Sequence, residues 1–143
     1  MTTVRQVLDG KSPEVHAVAP QAAVFDAIQL MAEKGVGAVL VMEGPQLAGI
    51  LSERDYARKI VLRDRSSRDT RVADIMTSQV VTVSPDSQVA HCLQLVTDHR
   101  IRHLPVVEEG RVLGVISIGD LVKAVIDAQA RELEQLQQYI VAG

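Results

Sequence analysis

Tryptophan is absent from the 143 residues, and aromatic side chains make up only 2% of them. A core must therefore be built from Val, Leu, Ile, Ala and Met, which the hydrophobic fraction of 47% supplies. There is one cysteine, Cys92, so an internal disulfide is excluded, which fits a reducing cytosol. No apolar run is long enough to span a bilayer. The opening residues Met1-Thr2-Thr3-Val4-Arg5-Gln6 show neither a signal-peptide core nor an Arg-rich transit pattern. Basic excess is also missing: the formal net charge is −3 and the pI about 5.8, which argues against general nucleic-acid binding. No Ser-His-Asp order and no paired-carboxylate motif suggests catalysis. The expectation is a non-enzymatic cytoplasmic protein with no nucleic-acid or membrane partner.

What the chain does contain is one short stretch written twice. Gly49-Ile50-Leu51-Ser52-Glu53-Arg54-Asp55 is answered by Gly114-Val115-Ile116-Ser117-Ile118-Gly119-Asp120 at an offset of 65 residues. At the same offset Val15, Val18, Pro20, Val24, Leu30, Val41 and Glu43 meet identical residues, with no gap from Val15 to Asp55. Upstream, Val4-Arg5-Gln6-Val7-Leu8 resembles Val72-Ala73-Asp74-Ile75-Met76 at an offset of 68, so the first copy carries a short insertion near Gly10-Lys11-Ser12-Pro13.

Each copy reads as β-α-β-β-α. Residues 15–18 and 80–83 are short apolar segments, expected as strands. A helix follows, with Ser84 as N-cap and Pro85 at its first position in the second copy. Its apolar positions are Val89, Cys92, Leu93 and Val96, matched by Val24, Ala27, Ile28 and Met31; Gly35 ends the first-copy helix. Residues 39–42 and 47–51, and again 104–107 and 112–116, flank turn residues and predict antiparallel pairs. A second helix starts at each Ser-x-x-Asp. Residues 63–71 are charged, lack an apolar period and read as a solvated linker. The last helix runs from about Leu121 to Ile140, with Val122, Val125, Ile126, Leu133, Leu136 and Ile140 in a stripe interrupted by Gln129; it is expected to pack on another subunit or on the outside of the module. The domains are expected as residues 1–62 and 72–128, with a linker at 63–71 and a helical extension at 129–143.

Ser-x-x-Asp at a helix start is also a capping box, with Ser as N-cap and Asp at the third position. The two roles are compatible, since capped helix ends often face ligands. Gly35-Val36-Gly37 lacks the third glycine of a dinucleotide fingerprint and reads as a helix stop. His99 and His103 straddle a helix-to-strand boundary with no further Cys or carboxylate pair, so no metal is expected. Cys92, on an apolar helix face, reads as an inert core thiol.

The duplicated Gly-apolar-apolar-Ser-x-x-Asp, the stretch Ile101-Arg102-His103-Leu104-Pro105-Val106-Val107, and Asp74-Ile75-Met76-Thr77 leading to Val81-Thr82-Val83 together resemble the cystathionine-β-synthase (CBS) domain family. Two such domains in tandem form a Bateman module, and this chain looks like its stand-alone, CBS-pair type. The resemblance implies an α+β fold of two β-α-β-β-α repeats about a pseudo-twofold axis, with small mixed sheets covered by helices and two clefts that bind adenosine nucleotides. Carried over residue by residue, it implies Asp55 and Asp120 on ribose hydroxyls, Ser52 and Ser117 beside them, Arg102 and His103 on phosphate, and Thr82 lining the pocket. The copies differ: Gly37-Ala38 stands where the second has Arg102-His103, and Arg54 where it has Gly119. The candidate binding set is thus Asp120, Ser117, Gly119, Arg102, His103, Pro105 and Thr82, with Asp55, Ser52, Arg54, Gly37 and Ala38. The chemistry fits, because an ionised Asp accepts two ribose hydroxyls and Arg grips phosphate in a fixed fork. The implied ligand is AMP or ADP, with ATP and NAD as relatives. The implied partners are a second copy, in a homodimer, and a regulated protein. Two other readings stand beside this one: a structural or dimerisation module with vestigial clefts, and an accessory to an enzyme such as inosine-monophosphate dehydrogenase.

Overall fold

A computed structural model describes residues 2–142. It is an α+β fold with two small sheets and helices. In chain order the elements are α1 (Val4–Asp9), β1 (Ala17–Val18), α2 (Val24–Lys34), β2 (Ala38–Glu43), β3 (Gln46–Ser52) and α3 (Glu53–Tyr56), which runs into a π-helical turn at Ala57–Val61. They continue with α4 (Val72–Ile75), α5 (Val89–His99), β4 (His103–Glu108), β5 (Arg111–Ser117) and the 25-residue α6 (Ile118–Ala142).

These elements divide into two compact units. The amino-terminal unit holds Glu14–Val80, with the segment Glu109–Val112. Its sheet has the order β1-β2-β3, β1 being parallel and β3 antiparallel to β2. Val24, Ala27 and Met31 of α2 are buried against Val39, Val41 and Leu51 of the strands and Val72 and Ile75 of α4. Gly35 closes α2 in the left-handed conformation, at φ 65°, as expected from the sequence.

The carboxy-terminal unit joins residues 2–13 to Val81–Glu108 and to residues 113–142. Its core sets Val4 of α1 among Val89, Cys92 and Val96 of α5, Leu104, Val106 and Ile116 of the strands, and Leu121 of α6. The chain's first helix is therefore a core element of the second copy's unit. Val4 is completely buried there, worth roughly 1.5–3 kcal/mol.

The same docking chemistry serves both units. Helix α2 has no side-chain cap; Val24 N–H donates to Thr70 O at 2.9 Å and Phe25 N–H to Ser67 O at 2.8 Å. Helix α5 likewise lacks a side-chain cap, and Val89 N–H donates to Thr2 O at 3.0 Å. Each segment that leads into a short helix, residues 67–70 before α4 and Thr2 before α1, thus supplies a carbonyl that the start of its unit's longer helix needs. It also fills a hollow over a strand glycine. A β-carbon on Gly49 would stand 2.6 Å from Met76 Sδ, and one on Gly114 2.8 Å from Leu8 Cδ2.

Residues 63–71 are mostly exposed, but Thr70 is buried, its hydroxyl donates to Ser66 O at 2.6 Å, and the Arg68 guanidinium lies 3.9 Å over the Phe25 ring. Two local expectations are corrected. Ser84 does not cap a helix. Ser84-Pro85-Asp86-Ser87 forms a turn in which Ser84 N–H donates to Ser87 Oγ at 3.1 Å, and α5 begins only at Val89. The strand expected at residues 80–83 reduces to an isolated bridge, Val83 to Val106, because only Val83 pairs with β4.

Candidate functional site

Both Ser-x-x-Asp sequences close a strand and open a helix, and both are built as capping boxes. In the amino-terminal unit Asp55 N–H donates to Ser52 Oγ at 3.2 Å and Ser52 N–H returns to Asp55 Oδ2 at 3.0 Å. In the carboxy-terminal unit Asp120 N–H donates to Ser117 Oγ at 3.1 Å and Ser117 N–H to Asp120 Oδ2 at 2.9 Å. Local sequence is sufficient for this, since Ser and the acid three residues on satisfy each other's backbone donors.

A further backbone bond ties each helix start to the residue that leads into the first strand of the hairpin. Glu53 N–H donates to Gly37 O at 3.0 Å, and Ile118 N–H donates to Arg102 O at 2.9 Å. Ala38 is in register with Ser52 across β2 and β3. The amino-terminal unit thus gathers Gly37, Ala38, Ser52, Arg54 and Asp55, and the carboxy-terminal unit gathers Arg102, His103, Ser117, Gly119 and Asp120. Pro105 is buried in β4, and its carbonyl accepts from Val83 N–H at 3.0 Å, which brings exposed Thr82 alongside that strand. Gly119 is exposed, and a β-carbon there would meet only Ser117 Oγ, at 3.6 Å.

The two carboxylates differ in what surrounds them. Asp55 is only 8% exposed and both its oxygens are engaged. Besides the box, Oδ2 accepts from Ser52 Oγ at 3.1 Å, while Oδ1 accepts from Thr77 Oγ1 at 3.3 Å and pairs with Lys59 Nζ at 3.1 Å. Lys59 is held in turn by Ile75 O at 2.8 Å. The Asp120 side chain is 26% exposed, and Oδ2, which accepts from Ser117 N–H, also accepts from Lys11 Nζ at 2.7 Å. Lys11 donates as well to Val115 O at 2.8 Å. Partial burial pushes the Asp120 carboxyl up, but the hydrogen bonds from Lys11 and Ser117 and the Lys11 charge outweigh it and hold the group below the ordinary value of 3.8.

Lys11, Lys59 and Thr77 were not singled out from the sequence. Lys59 carries a readable signal, being four residues after Asp55 in a helical run. Thr77 and Lys11 reach their carboxylates from the segments behind α4 and α1, across 22 and 109 residues of chain. A groove of about 470 Å³ opens beside Asp120 between α1 and α6, lined among others by Gln6, Lys11, Lys123, Asp127 and Arg131. Its lining does not include Arg102, His103 or Thr82. Cys92 is buried, and that burial pushes its thiol up, partly offset by its own backbone N–H; an inert core thiol is what this describes. No described helix is long and apolar enough to cross a membrane. Among the described residues no group of three or more His, Cys, Asp or Glu could hold a metal ion.

Comparison with known proteins follows the duplication. The profile of the CBS domain matches twice, at residues 4–62 and 72–127. The chain is 46% identical over 125 residues to the mitochondrial CBS domain-containing protein CBSX3 of Arabidopsis thaliana, covering 84% of this chain and 61% of that one. A solved protein with CBS domains from Burkholderia ambifaria is 53% identical, with a TM-score of 0.87 over 90% of this chain and 96% of that one. The CBS domain pair of the protein MJ0100, solved with 5-methylthioadenosine and S-adenosyl-L-methionine, shares the fold at a TM-score of 0.78 and 22% identity, over 89% of this chain and 98% of that one. With two matched domains spanning most of its length, the chain belongs to the CBS-domain family, as a pair of CBS domains.

Proposed function

We propose that this chain is a regulatory module that binds an adenosine-containing ligand at the start of α6 and passes the binding on to another protein. The observation that carries the reading is Asp120: a partly exposed carboxylate, locked at a helix start and tied by the Ile118–Arg102 bond to a cationic residue. Ribose hydroxyls would donate to the carboxylate, and Arg102 and His103 would meet phosphate. The complex of MJ0100 with two adenosine-containing ligands supports the ligand class. Asp55 is the weaker candidate, because a ribose there must displace Thr77 and Lys59. We assign the chain binding rather than catalysis, place it in the cytoplasm and take it to act as a homodimer; the Arabidopsis relative carries the same domain in a mitochondrial protein.

The test is calorimetric titration with AMP, ADP, ATP, NAD and S-adenosylmethionine. Asp120→Asn keeps an acceptor for Ser117 N–H but removes the charge, and should weaken any ligand at least about tenfold, for two charge-assisted bonds of roughly 1.5–3 kcal/mol each. Arg102→Ala should weaken AMP and ADP far more than adenosine. Wild-type affinity in the folded Asp120→Asn chain would remove Asp120 from the site. No binding of any of the five would favour the structural reading, which the fully engaged Asp55 already suits for the first copy.

A further inference from the structure

Helix α6 carries a stripe that its own unit does not cover. Leu121 is fully buried, and Ala124 and Val125 pack on the same core. Val122, Ile126, Leu133, Leu136 and Ile140 point elsewhere and are 46%, 57%, 61%, 58% and 73% exposed. With Gln129 they follow one another at alternating steps of four and three residues. A helix lying on its own domain shows a broad stripe of period 3.6, whereas alternating four-three steps make the narrow seam of a two-stranded coiled coil. Lys123, Asp127 and Arg131, which line the groove toward α1, are not seam positions.

We propose that α6 of a second copy occupies this seam, parallel and in register. The inference deepens the homodimer reading above and rests on it. Gln129, the polar seam residue, selects the occupant. In a parallel pair it meets Gln129 of the second copy, and two amides, each both donor and acceptor, satisfy one another. One polar seam position of this kind fixes register. Running the two stripes antiparallel over their full length sets Gln129 against Leu133 and leaves the amide without a partner. It also brings Glu132 against Glu132 across the dyad, a like-charge contact. In the parallel arrangement the flanking Glu132 lies opposite Gln137, and Val125 opposite Ala130, with no repulsion. An unrelated partner helix would need its own amide at the matching layer; a second copy supplies it by symmetry.

The test is sedimentation velocity on the full chain from about 1 to 100 µM. The wild type should be a dimer, and Leu133→Glu/Leu136→Glu should raise its dissociation constant at least about a hundredfold, with unchanged circular dichroism because both side chains are exposed in the single chain. Leu133→Ala/Leu136→Ala is the milder control if the charged pair perturbs folding. Gln129→Cys should link two chains covalently under mild oxidation, since in-register seam positions come within disulfide reach. Buried Cys92 should take no part. A dimer that persists with the seam broken would overturn this inference and leave the homodimer standing. A wild type that stays monomeric would overturn both. Dissociation of the glutamate variant without cross-linking of Gln129→Cys would overturn the parallel register.

Discussion

Asp55 and Asp120 hold the same position in their helices and yet are chemically different groups. The difference lies in what reaches them: Thr77 and Lys59 take up one, and Lys11 joins the cap at the other. Lys11 lies in the insertion by which the first copy departs from the second, and Lys59 and Thr77 meet Ala124 and Asp9 in the other copy, so the asymmetry originates in these positions of the sequence. A ribose at Asp120 competes with Lys11 for Oδ2. Lys11→Met should therefore tighten the binding of uncharged adenosine several-fold by calorimetry, and unchanged affinity would show that the two do not meet. The same contact sets a pH dependence. The carboxyl is held below 3.8 in the folded chain, so the stability it confers is complete above that value and is lost as pH falls through the lower, folded value. The stability gap between wild type and Lys11→Met, open at about pH 6, should close on the acid side of 3.8 in urea titrations; a gap constant with pH would remove the ion pair as its cause.

At the scale of elements, two short helices do work out of proportion to their length. Helices α1 and α4 are 6 and 4 residues long, too short to persist alone, and each is fixed by the body it docks on. The strand glycines make room for them, but unequally. A methyl on Gly49 meets Met76 Sδ at 2.6 Å and the Thr77 carbonyl at 2.9 Å, and that carbonyl also accepts from Ile50 N–H. A methyl on Gly114 meets only the end of the Leu8 side chain, at 2.8 Å, which can rotate away. Gly49→Ala should cost about 1–3 kcal/mol in denaturant unfolding and Gly114→Ala clearly less. Equal costs would mean that the backbone contact at Thr77 is not what limits the space.

At the scale of the molecule, the units are not the sequence repeats. All the core residues of the amino-terminal unit lie between Val24 and Ile75, whereas the carboxy-terminal core needs Val4 from the far end of the chain. A fragment of residues 81–143 should therefore be poorly folded by circular dichroism and gain helix when a peptide of residues 1–13 is added. The peptide brings Val4, Leu8, the Thr2 carbonyl and Lys11 back to their partners. Full folding of the fragment alone, indifferent to the peptide, would show that α1 is dispensable to that unit.

The sequence alone determined what depends on neighbours along the chain. Spacing named the duplication, the antiparallel hairpin of β2 and β3, the Gly35 stop and both capping boxes, since each is made by residues within a few positions of one another. It misplaced the start of α5, because Ser84-Pro85-Asp86-Ser87 serves a turn with the same chemistry that caps helices. It did not show that carbonyls of residues 63–71 serve the start of α2, because a carbonyl that caps a distant helix leaves no mark on side-chain pattern. What only the tertiary structure decided is which segment completes which core, and through that which carboxylate stays open. Val4 and Val72 look alike in sequence, as do Asp55 and Asp120. Their partners are chosen by packing across tens of residues, and no local period records that choice.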